Sequence, residues 1–360
     1  MKSLRPYIKR TPDTIRNLIA HISENTGEMK AILTDNKIEH LYLVGSGTSL
    51  NAAYFSRSIC SKILKVPCFV YGAMQFADTV NYPGENSVVV GISQAGHSYS
   101  TLLALEKARQ MGCIGIAVSN DKNAMIRKSA DAFLRIDMPE EDIGPKTEGL
   151  YASVATVVLA INEIAWNKGL IDDEKAAALR NKLLICTDKV AEISDAVWEC
   201  GNSHLIRLSH YDDIVVLGAD DCYPSAMEGA LKILETTHLT VRSYETEEFM
   251  HGIYHAMDKN KMVLAIAEGK HYERTIRLLG YLRDHKQCEV YAISPEKTVE
   301  LPNFTYSFDQ GNPFVSIEYL VVLQTLAQFM AEIRRIDFSS NSDPDFHRYM
   351  GSYVYEEKKE

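Results

Sequence analysis

The sequence predicts an α/β protein built from two tandem doubly wound parallel-sheet units with flanking helices. The first observation behind this prediction is an internal repeat that spans most of the 360 residues. The second is the alternation of short apolar runs with longer helical segments, which is typical of parallel sheets covered by helices on both faces. The composition agrees, because 46% hydrophobic and 24% charged residues are ordinary for a globular chain with a substantial core.

The repeat appears when the chain is aligned with itself. The segment LVGSGTS from Leu43 lies over VLGADDC from Val216, and Tyr71 then falls on Tyr244 without a gap. Further on, VVVGISQAGHSYST lies over MVLAIAEGKHYERT, and CIGIAVS lies over CEVYAIS. The offset between the copies grows only from 173 to 175 residues, which argues against chance similarity.

Each copy contains four apolar runs that predict strands. They are Leu41 to Val44, Cys68 to Tyr71, Ser87 to Ile92 and Ile114 to Val118, and then Ile214 to Leu217, Leu239 to Tyr244, Met262 to Ile266 and Val290 to Ile293. The pattern predicts an N-terminal helical segment (1–37), a first domain (38–170), a helical linker (171–209), a second domain (210–337) and a tail (338–360). In the N-terminal segment, Thr11 is a candidate N-cap with Pro12 at the first helical position.

The composition also excludes several classes of protein. A net charge of −10 without a Lys/Arg cluster argues against nucleic-acid binding. The seven scattered cysteines form no CxxC pair, which predicts free thiols in a reducing cytoplasm and no metal site. The N-terminus lacks the apolar core of a signal peptide. The longest apolar stretch, Leu150 to Trp166, contains Asn162 and Glu163 and is shorter than the ~20 residues of a membrane span, so it predicts a buried helix.

Two loops of the first copy are rich in hydroxyl groups. Ser46, Thr48 and Ser49 follow the first strand, and Ser93, Gln94 and Ser98 follow the third. Ligands of open parallel sheets bind beyond the carboxyl ends of the strands, where glycines and helix N-termini favour anions. Helix capping alone would explain one such loop, but two on one sheet edge predict a phosphate site. The Walker motif and the dinucleotide fingerprint are both absent from these loops.

The second copy carries carboxylates where the first carries hydroxyls. Its loops are Ala-Asp-Asp-Cys (219–222) and Ala-Glu-Gly-Lys (267–270), so we assign the phosphate to the first copy alone. Glu228, Lys232 and Glu235 instead share one side of a helix, and His251 follows. Glu235 and His251 are candidates for a proton-transfer pair, although spacing alone favours a solvated helix face and a surface histidine.

Together these motifs resemble the sugar isomerase (SIS) domain family, with its flavodoxin-like units. The SGTS and SQAGHS loops and the EGALKILE helix are similar to those of double-domain members, namely the isomerase half of glucosamine-6-phosphate synthase and the fructosamine-6-phosphate deglycases. The resemblance covers about residues 40–355. It implies that the sugar phosphate is held by Ser46, Thr48, Ser49, Ser93, Gln94 and Ser98. Ala95 stands where the family commonly has a serine.

The same resemblance implies the catalytic groups. Glu235, at the end of the EGALK helix, is implied as the base, and His251 matches the histidine of an E-x-x-H-G stretch. The interval of 16 residues between the two also matches the family. Ile253 stands where a proline is common after that stretch.

The tail separates the two subfamilies. The synthase ends in a proline-arginine stretch whose lysine helps to open the sugar ring, and Asp343 to Tyr355 offers no such lysine. The stretch from Asp343 to Gly351 instead resembles the deglycase ending, roughly N-P-D-x-x-R-R-Y-x-G, with His347 in place of one arginine. No amidotransferase domain precedes the repeat in this sequence. The tail is therefore expected to contribute to the active site of a deglycase.

The activity implied is cleavage of a ketosamine 6-phosphate to a hexose 6-phosphate and a free amine or amino acid, by acid–base catalysis without cofactor or metal. A cytoplasmic homodimer is implied as well, since in related enzymes the histidine comes from a neighbouring subunit; no membrane or nucleic-acid partner is expected.

An aldose–ketose phosphosugar isomerase or an amino-sugar phosphate deaminase needs the same base, so both remain alternatives. So does a non-catalytic phosphosugar-binding module. The identity of the amine is not predicted.

Overall fold

A computed structural model describes residues 2–297, 301–338 and 345–354, without the side chains of residues 202, 203, 205 and 206. The chain forms two compact units, each described here by itself. The first unit comprises Asp13–Glu141, Glu148–Leu184 and Ser342–Glu360, and the second comprises Met1–Pro12, Asp142–Thr147 and Ile185–Asn341. Each unit contains one five-stranded parallel sheet built from one copy of the repeat, which confirms the predicted fold class.

The first sheet has the strand order β2-β1-β3-β4-β5. Its strands are β1 (His40–Gly45), β2 (Cys68–Gly72), β3 (Ser87–Ile92), β4 (Ile114–Ser119) and β5 (Ala132–Arg135). The connecting helices are α3 (Thr48–Leu64), α4 (Ala73–Thr79) and α5 (Tyr99–Gln110), with a 3₁₀ turn at Met125–Ser129. Leu41 pairs with Cys68 on one side and with Val88 on the other. The order reverses between β1 and β3, so the loops that follow these two strands are neighbours at the carboxyl edge.

The second sheet has the equivalent order, β7-β6-β8-β9-β10. Its strands are β6 (Asp213–Gly218), β7 (Thr240–Glu245), β8 (Lys261–Ile266), β9 (Glu289–Ser294) and β10 (Asn303–Thr305). The connecting helices are α10 (Tyr223–Thr237), α11 (Thr246–Phe249) and α12 (Tyr272–Lys286), with 3₁₀ turns at Asp220–Cys222, Ile253–Ala256 and Gly269–His271. Branched apolar side chains fill both faces of the central strands, as burial on both sides of a parallel sheet requires.

The remaining helices flank the sheets. They are α1 (Arg5–Asn25), α2 (Gly27–Leu33), α6 (Glu148–Asn167), α7 (Asp173–Asp188), α8 (Val190–Ser203), α9 (Leu205–His210), α13 (Val315–Ile333) and α14 (Phe346–Met350). In the first unit α6 packs against α3, and in the second unit α13 packs against α10. The predicted helical stretch from 172 to 209 is thus occupied by helices. Of the predicted tail (338–360), residues 339–344 and 355–360 lie outside the described residues.

The prediction that Leu150 to Trp166 forms a buried helix is confirmed by α6. Among the described residues, α6 is the one helix long and apolar enough to cross a membrane, and 94% of its apolar window is buried within the fold. This burial is that of a core helix. Two polar residues inside it have protein partners, since Asn162 Nδ2 donates to the carbonyl of Ala176 at 3.2 Å and Arg180 donates to Glu163 at 2.9 Å.

The proposed helix start at Thr11 is wrong. Helix α1 begins at Arg5 and continues through Pro12. A continuous apolar stripe explains this, because Leu4, Ile8, Ile15, Leu18 and Ile22 are all buried, at spacings of four, seven, three and four residues along one face. The Thr11 hydroxyl donates to the carbonyl of Tyr7 at 3.2 Å instead of capping a terminus.

Candidate active site

The loop between β1 and α3 carries three of the predicted residues. Gly45 ends the strand where a side chain would not fit, because a Cβ atom there would lie 2.8 Å from the carbonyl carbon of Ser49. Gly47 has a φ of +56°, in the left-handed region that glycine tolerates. Ser46 is exposed, and Thr48 and Ser49 are half-buried in the first turn of α3. These hydroxyls therefore lie at a helix N-terminus, where the dipole favours an anion.

The loop between β3 and α5 is more tightly packed. Ser93 is buried directly after the strand. Gly96 has a φ of +78°, and a Cβ atom there would lie 2.4 Å from the Cβ of Ala124. Ser98 caps α5, since its Oγ accepts the amide N–H of Thr101 at 3.4 Å. Capping thus explains part of the role of Ser98.

A chain of hydroxyl groups connects the two loops. The Oγ of Ser100 lies 3.0 Å from the Oγ of Ser46 and 3.2 Å from the Oγ of Ser98. The structure therefore brings two predicted residues together through a third. Ser100 was not predicted, because its position beside the β1–α3 loop depends on the tertiary structure rather than on a motif.

Gln94 is positioned by packing and by hydrogen bonds. Its side-chain amide donates to the sulfur of Met138 at 3.4 Å, and its main-chain carbonyl accepts a hydrogen bond from the hydroxyl of Ser119 at 3.0 Å. Gly149, in the first turn of α6, leaves room for this side chain, because a Cβ atom there would lie 2.3 Å from Gln94 Nε2. Ala95, the departure from the family pattern, is exposed.

The tail lies against the β3–α5 loop, and both segments belong to the first unit. The amide of Tyr99 donates to the carbonyl of Ser352 at 3.0 Å, and the amide of Val354 donates to the carbonyl of His97 at 2.8 Å. These bonds flank an antiparallel bridge at Ser98. The tail is thus fastened to one of the loops that carry the predicted phosphate contacts.

His347 helps to shape this part of the tail. Its Nδ1 lies 2.8 Å from the hydroxyl of Ser352, and its ring stacks on that of Tyr353 with 4.0 Å between centroids. The histidine that replaces an arginine of the deglycase-like pattern therefore has a structural role here. Of that pattern, residues 343 and 344 lie outside the described part of the chain.

In the second unit, one face of α10 carries a buried charge cluster. Lys232 is 1% exposed, and its Nζ lies 3.4 Å from Glu228 Oε1 and 2.5 Å from Glu235 Oε2. Glu228 is fully buried, whereas the side chain of Glu235 is 33% exposed. Burial alone would lower the pKa of Lys232, but the two carboxylates outweigh it and raise that pKa above its ordinary value. Glu235 is therefore a carboxylate held beside a permanent cation and open to solvent on one side.

His251 lies in a turn after α11. Its side chain is 70% exposed, and its Nε2 is 3.9 Å from the nearest carboxylate oxygen of Glu247. Arg274 donates two hydrogen bonds to that carboxylate, at 2.7 and 2.6 Å, and so holds the pKa of Glu247 below its usual value. The next residue, Gly252, has a φ of +121°. His251 is thus an accessible imidazole on a turn that requires glycine.

The loop edge of the second sheet differs from that of the first. Lys270 Nζ lies 2.6 Å from a carboxylate oxygen of Asp220, which has a positive φ of 53°. Cys222 Sγ lies 3.8 Å from Glu268, and burial raises the pKa of that glutamate. Carboxylates with their own partner occupy this edge, in keeping with the assignment of the phosphate to the first copy.

Fold and site together define a double α/β protein with a hydroxyl-lined loop edge in one unit and a buried charge cluster in the other. A family model for the SIS domain matches residues 10–163 and 207–309. These segments make up more than half of the chain, which therefore belongs to the SIS domain family, as its motifs predicted.

Named relatives are similar over much of the chain. The glutamine–fructose-6-phosphate aminotransferase (isomerizing) of Buchnera aphidicola subsp. Acyrthosiphon pisum is 26% identical over 271 residues, which are 72% of this chain and 44% of the relative. The chain spans about half the length of the curated relatives it matches.

Solved structures share the whole fold. A Clostridium difficile 630 protein, provisionally assigned as a phosphosugar isomerase, is 27% identical with a TM-score of 0.90, covering 98% of this chain and 99% of its own. Tagatose-6-phosphate ketose/aldose isomerase of Escherichia coli has a TM-score of 0.72 and covers 93% of this chain and 94% of its own. At 18% identity, the second likeness shows the fold alone.

Proposed function

We propose that this chain is a phosphosugar enzyme that cleaves a ketosamine 6-phosphate to a hexose 6-phosphate and a free amine. The observation that carries the proposal is the hydroxyl chain of Ser46, Ser100 and Ser98 at the N-termini of α3 and α5. Hydroxyl donors beside two helix N-termini suit a phosphate dianion, because they supply hydrogen bonds and favourable dipoles without a buried charge. In this proposal Thr48, Ser49, Ser93 and Gln94 complete the contacts.

Glu235 is the proposed base. The Lys232 ammonium lies against its carboxylate, and the partial exposure of Glu235 leaves one side of that carboxylate accessible. His251, an exposed imidazole, is the proposed acid and base for opening the sugar ring. Both roles are taken from the resemblance to known SIS enzymes, and the position and exposure of each side chain are compatible with its role.

The reaction needs only proton transfers and water. Glu235 removes a proton from C1, which is acidic because the neighbouring C2 is a carbonyl carbon. The resulting enaminol takes up a proton at C2 and becomes an aldimine, with the C1–nitrogen double bond in place of the C2 carbonyl. Water adds to C1 and the C1–nitrogen bond breaks, which gives a hexose 6-phosphate and the free amine.

Two features favour cleavage over amination or simple isomerisation. The stretch from Asp343 to Tyr355, which resembles the deglycase ending, contains no lysine, whereas the synthase tail uses one; Lys358 and Lys359 follow this stretch in the sequence. The tail is also fastened to the β3–α5 loop, so its residues are available to contact the substituent on C1. A homodimer in the cytoplasm, with His251 supplied by the neighbouring subunit, completes the proposal.

The decisive experiment is a substrate panel. Purified protein is incubated with 6-phosphorylated fructosamines of several amino acids, and glucose 6-phosphate and free amino acid are measured in parallel. We expect the two products in equal amounts from at least one compound, and none from the same compound without its phosphate. Release that does not depend on the phosphate would contradict the assignment of the first-unit loops.

The second candidate is an aldose–ketose phosphosugar isomerase. The likeness to the Clostridium difficile structure over nearly the whole of both chains favours it. Fructose 6-phosphate and glucosamine 6-phosphate therefore belong in the same panel. Interconversion of a ketose and an aldose phosphate without any amine release would replace our proposal with this one, and binding of sugar phosphates without any product would favour a non-catalytic module.

A further inference from the structure

A cluster of three metal-ligating side chains lies in the second unit, away from α10. It consists of Cys186 at the end of α7, Asp309 in the loop before α13, and Glu318 in the first turn of α13. One donor atom from each lies within 4.8 Å of the other two. Cys186 and Glu318 are fully buried, whereas Asp309 is partly exposed and gives access from solvent. The proposed function uses none of these residues.

Of the two carboxylate oxygens of Glu318, one accepts a hydrogen bond from a main-chain amide and the other does not. Its Oε2 accepts the amide N–H of Asp309 at 2.9 Å. Its Oε1 is buried and accepts no N–H or O–H group of the described residues, and the thiol of Cys186 donates to the same carboxyl group. A fully buried carboxylate oxygen in that state costs free energy unless a cation reaches it.

The charges around this oxygen are not balanced by the protein. Lys189 Nζ is the nearest cation, at 3.7 Å from Glu318 Oε1, which is too long for a hydrogen bond. That ammonium donates instead to the carbonyl of Ser307 at 2.9 Å. Burial raises the pKa of the Cys186 thiol and of the Glu318 carboxyl group, so binding of an ion would have to release the thiol proton. The ligands would then carry three negative charges against the single charge of Lys189. A divalent ion would make the group neutral.

We propose that Cys186, Asp309 and Glu318 form a binding site for a divalent transition-metal ion, with zinc as the best fit. A thiolate ligand selects against magnesium and calcium, and zinc accepts both thiolate and carboxylate ligands. The ion would connect α7 to α13 and to the loop before it, and water would complete its coordination. Asn312, which donates to Asp309 Oδ2 at 2.8 Å, would orient that ligand without binding the ion itself.

The experiment uses the full-length protein, stripped with a chelator and then titrated with Co²⁺ and Zn²⁺. We expect one equivalent of Co²⁺ to give the near-ultraviolet band of a cobalt–thiolate bond, and Zn²⁺ to remove it. The unfolding midpoint should rise with either ion, because an ion that binds only the folded state stabilises it.

Two variants and one control test which residues bind the ion. Cys186→Ser should abolish the thiolate band and weaken Zn²⁺ binding by about a hundredfold or more, since even orienting residues contribute 10- to 100-fold. Glu318→Gln should weaken Zn²⁺ binding as well while keeping the sulfur. Cys113→Ser, at a buried cysteine outside the cluster, is the matched control and should leave the band unchanged.

The proposal is overturned if the wild-type protein shows no thiolate band with Co²⁺ and no shift of the midpoint with Zn²⁺. It is equally overturned if Cys186→Ser, folded by circular dichroism, keeps the wild-type band and affinity. In that case another cysteine would bind the ion.

Discussion

Lys232 is the residue on which the charge cluster of α10 depends. It is buried between Glu228, which is fully buried, and Glu235. Burial of each ion costs desolvation free energy, so such a cluster is stable only while its opposite charges compensate one another. A neutral residue in its place leaves Glu228 without its cation.

We therefore expect Lys232→Met to lower the free energy of unfolding by about 3 kcal/mol, the usual scale for removing one partner of a buried ion pair. Denaturant unfolding followed by circular dichroism measures this. Lys175→Met is the matched control, since its ion pair with Asp172 is exposed and should leave the midpoint unchanged. Equal effects of the two substitutions would contradict the importance of burial.

Glu235 should matter for the rate rather than for binding. We expect Glu235→Gln to lower kcat by about 10²- to 10⁴-fold, the usual contribution of a general base, with little change in the affinity for the phosphosugar. Single-turnover kinetics and equilibrium binding separate the two quantities. Glu273→Gln, at an exposed glutamate of α12, serves as the control. A variant at position 235 with wild-type turnover would refute the assignment.

At the scale of the elements, the start of α6 is shaped to receive the side chain of Gln94. A Cβ atom on Gly149 would lie 2.3 Å from Gln94 Nε2, so Gly149→Ala must displace that amide. We expect KM for the phosphosugar to rise about tenfold or more, because small displacements of positioning groups have large effects. Steady-state kinetics give the value.

Gly280→Ala, in the middle of α12, is the control for that substitution. Nothing lies within 4 Å of the added methyl group there, so we expect a gain of about 0.5–1 kcal/mol in stability from the better helix propensity and no change in KM. An unchanged KM in Gly149→Ala would show that Gln94 does not contact the ligand.

The central elements were predictable because their patterns are local. The third strand of the first copy has the predicted bounds, Ser87–Ile92, and each of the other seven predicted strands differs by at most one residue at each end, since continuous apolar runs between turn residues mark buried parallel strands. The edge strands β5 and β10 were missed, because four and three residues are too short to form a pattern.

The parts that were missed depend on contacts between distant residues. The stripe from Leu4 to Ile22 overrode the capping signal of Thr11 and Pro12, because burial of that face stabilises the whole helix. Ser100 looked like any residue in the first turn of α5 until folding brought it within 3.0 Å of Ser46. The spacing of Glu228, Lys232 and Glu235 indicated that these residues share one side of α10. It did not indicate that this side is buried, so a charge cluster could not be distinguished from a solvated face.

At the scale of the whole molecule, two copies of one fold have diverged at their loops while keeping their strand order. The first copy kept hydroxyls and glycines at its carboxyl edge. The second carries the Asp220–Lys270 ion pair there and has its charged residues on α10 instead. In our proposal this difference corresponds to a division of roles, with anion binding in one copy and proton transfer in the other.

The proposed homodimer can be tested by complementation. If His251 serves the neighbouring subunit, a hybrid of Glu235→Gln and His251→Ala chains contains one intact site. Random reassembly of equal amounts of the two should restore about a quarter of wild-type activity, because half of the dimers are hybrids with one working site of two. Each variant alone is the control. Reassembled mixtures that stay inactive would place the histidine in its own subunit or exclude a dimer.

The main-chain hydrogen bonds that attach the tail also determine which substitutions the tail can accept during evolution. The two bonds that hold it, from Tyr99 to Ser352 and from Val354 to His97, use main-chain atoms only. Almost any side chain except proline at 99 or 354 preserves them. Tail side chains outside the contacts of His347 with Ser352 and Tyr353 can thus be exchanged while the strand stays attached, which would let one scaffold acquire new substrate preferences without changing its anion-binding loops.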